Sequence, residues 1–286
     1  VSRVGHHQPA YEDLHGQFRA SYHLEMISDS ARVSAIRGAL AETLQEGDVF
    51  CEVGCGTGIF ALEAARLGAR VYAIESDPKM VEIARHNVER AGLEERIDIL
   101  IGDAQSVRPP EPIDIALCEM MSTWAVEEPV IPTARIVLRE WLAPEGQFLP
   151  SRIVNLAEIG HYPFDHHGAS MPAVMPLFTG VPQPHVLTES RVCRTLDFTT
   201  EVDLDLSVDT RFEALAAGRA NCVVLRSLVQ LGPSTVFSGS DSLMPPTVVP
   251  LDQELDLWPG DLLRLQTDLR ARSSFEISTF SLQRTA

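Results

Sequence analysis

Residues 50–75, FCEVGCGTGIFALEAARLGARVYAIE, constrain the chain more than any other stretch. An apolar run ending at Cys51 reads as the end of a buried strand, and residues 59–67 carry a helical period. Between them stands Glu52-Val53-Gly54-Cys55-Gly56-Thr57-Gly58. Residues 70–74 form a second strand pattern that closes on Glu75. Strand, glycine turn, helix and strand predict one βαβ unit with a ligand crevice at its carboxyl edge. Glycine is needed where a ligand approaches the backbone or where φ is positive. An acid at the end of the second strand suits a ribose diol, whose two hydroxyls both donate.

A dinucleotide loop has the pattern G-x-G-x-x-G. Here the spacing is G-x-G-x-G, and Ile59 fills the place of that third glycine. Glu52 precedes the first glycine by two residues. A carboxylate beside the crevice would repel a pyrophosphate and accept from an ammonium. A glycine-rich turn kept for tight packing alone would not require the whole unit in this order. The pattern resembles motif I of the class I S-adenosylmethionine-dependent methyltransferases, and Glu75 resembles their ribose-binding acid. That resemblance assigns the donor to Glu52, Gly54, Cys55, Gly56, Gly58, Glu75 and Ser76.

Net charge is −17, which disfavours nucleic acid and favours cationic substrates. No apolar run is long enough for a membrane span and the start is no signal peptide, so a cytoplasmic site is expected. The five cysteines, Cys51, Cys55, Cys118, Cys193 and Cys222, are scattered and lack metal-ligand spacing. They read as small buried hydrophobes, and no metal is expected. The pairs His6-His7 and His166-His167 read as solvated loops.

Along the chain, residues 1–16 look irregular and 17–44 helical. Asp77-Pro78 opens a helix that runs to Ala91 and stops at Gly92. Strands are expected at 97–101 and 113–118, a helix at 131–141, and a turn into a fifth strand by Phe148. After residue 150 the alternation stops. Residues 163–184 are rich in Pro, Gly and His. Short strands follow at 196–203, 222–231, 235–237, 247–251, 262–269 and 275–282, with one helix at 211–217. The expected fold is α/β, a Rossmann-like class I methyltransferase sheet followed by a C-terminal β-barrel. Its parts are an N-terminal helical segment covering the cofactor (1–46), the donor-binding domain (47–150) and a barrel substrate domain (151–286).

The end of the fourth strand faces the same crevice as the first. Glu119 stands there, and Glu128 follows nine residues later, close enough for a hairpin-like loop to return its carboxylate. Two carboxylates around one pocket suit a planar, always charged guanidinium. A solvated acidic helix start is the plainer reading of Glu127-Glu128. With this segment the likeness becomes specific. The chain resembles the protein arginine methyltransferase family over nearly its full length. His23-Leu24-Glu25-Met26-Ile27-Ser28-Asp29-Ser30-Ala31-Arg32 resembles that family's I-H-E-E-M-L-x-D-x-x-R. The likeness implies that Met26 packs by the donor sulfur, that Arg32 pairs with the methionyl carboxylate and that His23 lines the same pocket. It also implies that Asp103, Ala104 and Gln105 hold the adenine. Cys118-Glu119-Met120-Met121 resembles S-E-W-M, and Glu119 with Glu128 matches the double-E hairpin. Residues 142–150 resemble the L-x-P-x-G-x-x-x-P that leads into the barrel.

Most departures fall on the acceptor side. Met244-Pro245-Pro246 stands where the family has T-H-W, and Met120 and Thr123 replace aromatics of the double-E loop; at the adenine, on the donor side, Gln105 stands where the family usually has an acid. Residues 163–184 stand in place of the dimerisation arm, so a homodimer is the assembly the likeness allows rather than requires. The implied reaction transfers a methyl group from S-adenosyl-L-methionine to a guanidino nitrogen of protein, peptide or free arginine, leaving S-adenosyl-L-homocysteine. The acceptor would be a cationic small molecule or peptide, and Glu119 and Glu128 the catalytic pair. The alternatives are a small-molecule N- or O-methyltransferase of specialised metabolism and a non-catalytic protein of the same fold.

Overall fold

The computed structural model describes residues 20–285; the irregular stretch expected for 1–16, the first residues of the expected helix at 17–44 and the pair His6-His7 lie outside the described residues. Within 20–44 the helix is two helices, α1 (Ala20–Ser28) and α2 (Ser30–Thr43). Asp29 breaks them, because its carboxylate accepts from the Arg32 N–H and so caps α2 in place of continuing α1.

The first sheet follows the local signals closely. Strands β1 (Val49–Val53), β2 (Arg70–Glu75), β3 (Ile97–Ile101), β4 (Ile113–Cys118) and β5 (Leu142–Leu149) alternate with helices α3 (Ile59–Arg66), α4 (Pro78–Ala91) and α5 (Val130–Glu140). The order is β3-β2-β1-β4-β5, all parallel. Burial on both faces explains the near-continuous apolar runs in β1, β2 and β4. Helix α4 begins on an Asp77 cap with Pro78 in the first turn and ends on Gly92 at φ 65°. The strand order reverses between β1 and β4, so the crevice opens at the ends of these two strands.

A strand not anticipated from the sequence comes next, β6 (Arg152–His161). It pairs antiparallel with residues 218–230 at the centre of a seven-stranded sheet. A three-stranded antiparallel sheet of residues 208–213, 262–267 and 281–284 completes the C-terminal β-barrel domain. Where a helix is expected at 211–217, residues 211–213 end a strand, Val208–Glu213, and 214–217 form an irregular connection. Val208 and Phe212 are buried while Asp209, Arg211 and Glu213 are not, a period-two face that pairing with 262–267 selects over helix propensity. Likewise, 275–282 divides into a 3₁₀ turn, Phe275–Ile277, and a strand, Ser281–Arg284. Among the described residues no α-helix lies within 163–184; short strand pairs occupy it.

Two of the contacts that join the two parts of the fold bear on the site. Glu42 on α2 accepts from the backbone and hydroxyls of Ser234 and Thr235. Trp124, 1% exposed, sits in a 3₁₀ turn after β4 and drives its indole N–H onto the carbonyls of Leu156 and Arg226.

Candidate active site

The glycine loop uses backbone conformations closed to most side chains. Gly54, Gly56 and Gly58 have φ of 77°, 53° and 77°. A Cβ on Gly54 would meet the Met120 sulfur at 2.8 Å, and one on Gly56 would meet His23 Nδ1 at 3.3 Å. His23 on α1 therefore lies over the loop, and burial lowers its pKa against the opposing pull of Glu75 and Asp77.

Two acids hold the loop in shape. Glu75 is buried; one oxygen accepts from the Gly56 N–H at 2.8 Å and the other from the Ser76 and Asp77 N–H groups. Three of its about four lone-pair sites are taken, which leaves Oε2 one for a ribose hydroxyl beside this scaffolding role. Glu75→Ala is expected to weaken donor affinity at least about tenfold, the scale of one charge-assisted hydrogen bond, and to lower the melting temperature. Unchanged calorimetric affinity would sink the ribose role. Glu52 is also buried, and its Oε2 accepts from the Ala61 N–H at 2.7 Å. It thereby caps α3, whose N-cap Gly58 has no side chain for the task. Burial pushes its carboxyl well above the ordinary range, a shift that an ammonium beside it would reverse. Cys55 packs beneath the loop, its thiol also pushed up by burial.

A cavity of 420 Å³ opens from this loop. Gly54, Ile74, Ser76, Asp103, Ala104 and Gln105 line one side, with Met120, Thr133, Ile136 and Arg272 opposite. Its volume suits a nucleoside-sized ligand, and its polar groups are few. The Asp103 carboxylate closes its own turn by accepting from Gln105 and Ser106.

The acceptor side is built around β4's end. Arg32, 4% exposed, lays its guanidinium bidentate on Glu119, with Nε to Oε1 at 2.7 Å and Nη2 to Oε2. Its Nη1 donates to the Met26 carbonyl at 2.9 Å, and it lies over the Phe60 ring. Burial alone would lower its pKa, yet Glu119 raises it. Arg32, expected from the resemblance to hold the donor, and Glu119, expected to hold the acceptor, are thus partners. Met26 takes part through its backbone.

From Glu119 the chain turns through Ser122, whose Oγ accepts from the N–H groups of Glu127 and Glu128. Trp124 and Ala125 have φ of 61° and 58°, and the Trp124 backbone is held on both sides, N–H to Ser227 and carbonyl from Asn155. This turn brings Glu128 back beside Glu119. Burial, then Glu119 and Glu127, push the Glu128 carboxyl up to about 8. Opposite, the Pro245 carbonyl takes the Thr123 hydroxyl at 2.7 Å, occupying the place where a histidine loop was expected. Sequence reasoning missed Thr133, Ile136 and Arg272. No local pattern marks them, because chain crossings bring them to the crevice.

A five-stranded parallel sheet, a positive-φ glycine loop closed by a strand-end acid and a nucleoside-sized crevice at the switch point define an S-adenosylmethionine-dependent methyltransferase. A methyltransferase domain family model matches residues 50–146. The chain is 34% identical over 152 residues to a probable protein arginine N-methyltransferase 6 of Arabidopsis thaliana, covering 52% of this chain and 35% of that protein. It is 30% identical over 135 residues to an arginine N(omega)-methyltransferase of Streptomyces achromogenes, covering 46% and 37%. It thus spans little more than a third of the length of these two relatives. Among solved structures, the Trypanosoma brucei PRMT1 enzyme-prozyme complex with AdoHcy superposes with a TM-score of 0.77 at 21% identity, covering 93% of each chain. Residues 50–146 are a methyltransferase domain, S-adenosylmethionine is the methyl donor, and the chain is similar to protein arginine N-methyltransferases. Among the described residues no helix is long and apolar enough to cross a membrane.

Proposed function

We propose that this chain methylates a guanidino nitrogen of arginine. The observation that carries this reading is the pair Glu119 and Glu128 at the end of β4, with a guanidinium, that of Arg32, already seated on Glu119. A carboxylate that accepts an internal guanidinium in two-point fashion has the geometry to orient an incoming one. Each Glu119 oxygen keeps a second lone pair for the acceptor, and Glu128 supplies the facing pair.

The donor supplies a methyl already activated on a sulfonium, and the S–C bonding electrons stay on sulfur as the N–C bond forms. The protein's work is positioning and exclusion of water. Glu119 and Glu128 hold the acceptor plane and concentrate electron density on one nitrogen. That nitrogen must shed a proton, and Glu128, whose carboxyl titrates at about 8, is matched to take it near neutral pH. Arg32, released from Glu119, would bind the methionyl carboxylate; Glu52 would accept from the ammonium, Glu75 from the ribose, and Asp103 with Gln105 from the adenine edge. Residues 1–46 would cover the donor, 47–150 bind it, and 151–286 shape the acceptor side. In this reading the chain acts in the cytoplasm, where free thiols persist, and light scattering would decide between a monomer and a homodimer.

The test is incubation with methyl-labelled donor and, separately, free arginine, a peptide with an internal arginine, and an aliphatic amine. Product from either arginine source supports the reading. Label only on the amine transfers the chain to the small-molecule alternative, and no product with intact donor binding identifies a non-catalytic protein.

A further inference from the structure

Among the described residues Arg272 is the one cation in the cavity lining, and neither the mechanism above nor any sequence motif uses it. It lies beyond the strand Leu262–Thr267, at a bend where its own φ is 71°. Two hydrogen bonds fasten it to the carboxylate loop: its backbone N–H to the Val126 carbonyl at 2.6 Å and its Nη1 to the Glu127 carbonyl at 3.1 Å. Both partners are neutral. Among the described residues Arg272 forms no ion pair and Nε and Nη2 keep their donors, while its charge acts on the neighbouring Glu128 carboxyl. It is an exposed guanidinium held at the rim of a crevice, in a chain of net charge −17.

We infer that Arg272 receives the carboxylate of the acceptor, so that the preferred substrate is an arginine whose α-carboxylate is free. The inference rests on the guanidine reading above. Its geometry is that of a two-ended molecule. Glu128 follows Glu127 directly, so the site for the guanidinium and the guanidinium of Arg272 lie a short span apart. An extended arginine places its carboxylate about 7 Å from its guanidino carbon, from summed bond lengths. Carboxylate and guanidinium pair in a planar two-point fashion that a lone amine cannot give. A peptide with an internal arginine has no carboxylate to offer here, and basic neighbours along it would meet a like charge.

Two sources share this chemistry, free arginine and the C-terminal arginine of a peptide. The experiment measures kcat/KM for L-arginine, for agmatine (arginine without its carboxylate), for a peptide ending in arginine and for one with an internal arginine. These are run with the wild type and Arg272→Gln. Glutamine keeps an N–H for the Glu127 carbonyl and removes the charge, which separates recognition from loop support. The wild type is expected to favour L-arginine over agmatine by about ten- to a hundredfold, the scale of a charge-assisted pair. In Arg272→Gln the ratio should fall to near one through KM. Preference for the peptide ending in arginine assigns the carboxylate to a chain terminus, and preference for L-arginine to the free amino acid. The inference is overturned by equal use of L-arginine and agmatine, by an equal loss on both acceptors, or by preference for the internal arginine. In the last case the guanidine reading still stands; methylation of no guanidine at all removes that reading and the inference together.

Discussion

Glu119→Gln is expected to lower turnover about a thousandfold, the upper scale for removing one charge-stabilising contact from an enclosed site. The structure adds a second consequence. Arg32 is buried and, among the described residues, Glu119 is its only carboxylate partner in a direct contact, so the variant leaves a half-paired cation inside the protein. Breaking such a pair costs up to about 3 kcal/mol, less than full removal because the amide oxygen remains as an acceptor. The ligand-free variant should therefore melt several degrees lower. If the donor's carboxylate takes over Arg32, donor should raise the melting temperature more in the variant than in the wild type. Initial rates and thermal melts with and without donor check this. Turnover close to the wild type's would dispose of the acceptor assignment, and an equal donor-induced shift would dispose of the Arg32 exchange.

Glu128→Gln is expected to be both inactive and more stable. Activity should fall about a hundred- to ten-thousandfold, the range for a positioned base. The stability effect follows from the raised pKa. The unfolded carboxyl titrates at 4.5 and the folded one at about 8, so the folded state binds the extra proton between them. Stability contributed at this position is full below pH 4.5 and declines as pH rises towards 8. The glutamine variant, with nothing to ionise, should out-melt the wild type at pH 8 to 9 and match it near pH 4.5. Active wild type, in turn, should gain kcat/KM for a cationic acceptor as pH rises through about 8. A melting difference that grows on acidification would reverse the sign and remove the assigned environment of Glu128.

How far such residues could be read in advance depends on where their partners lie. Helix α4 was legible because Asp77, Pro78 and Gly92 cap it locally, and β1, β2 and β4 because burial on both faces leaves continuous apolar runs. Strand β6 escaped because its code is inverted in places. Asn155 faces inward to meet Trp124 and Ser227, whereas Val154 and Leu156 lie on the partly open face. The segment after Arg211 contains Leu215, Ala216 and Ala217, good helix formers, but strand pairing takes residues up to Glu213 and the Leu187 carbonyl holds the Leu215 and Ala216 N–H groups in a turn. The carboxylates of the site were visible in order and type, but the pairing of Arg32 with Glu119 spans 87 residues and has no local signature. Arg272 lies further still from the loop it joins.

The Trp124 turn has a consequence for how this protein can vary. Its indole and backbone are tied to Leu156, Arg226, Ser227 and Asn155, all of them in the strands of the barrel. The geometry of Glu119 and Glu128 is therefore inherited from residues encoded up to a hundred positions downstream, and a fragment ending near β5 would carry both acids without their alignment. Ser227 and Asn155 hydrogen-bond each other as well, so a change at either reaches the acids through one buried chain of donors. Drift in the far strands can retune the acceptor site with no substitution in the site itself, while donor binding, held by the glycine loop and its own acids, stays as it was.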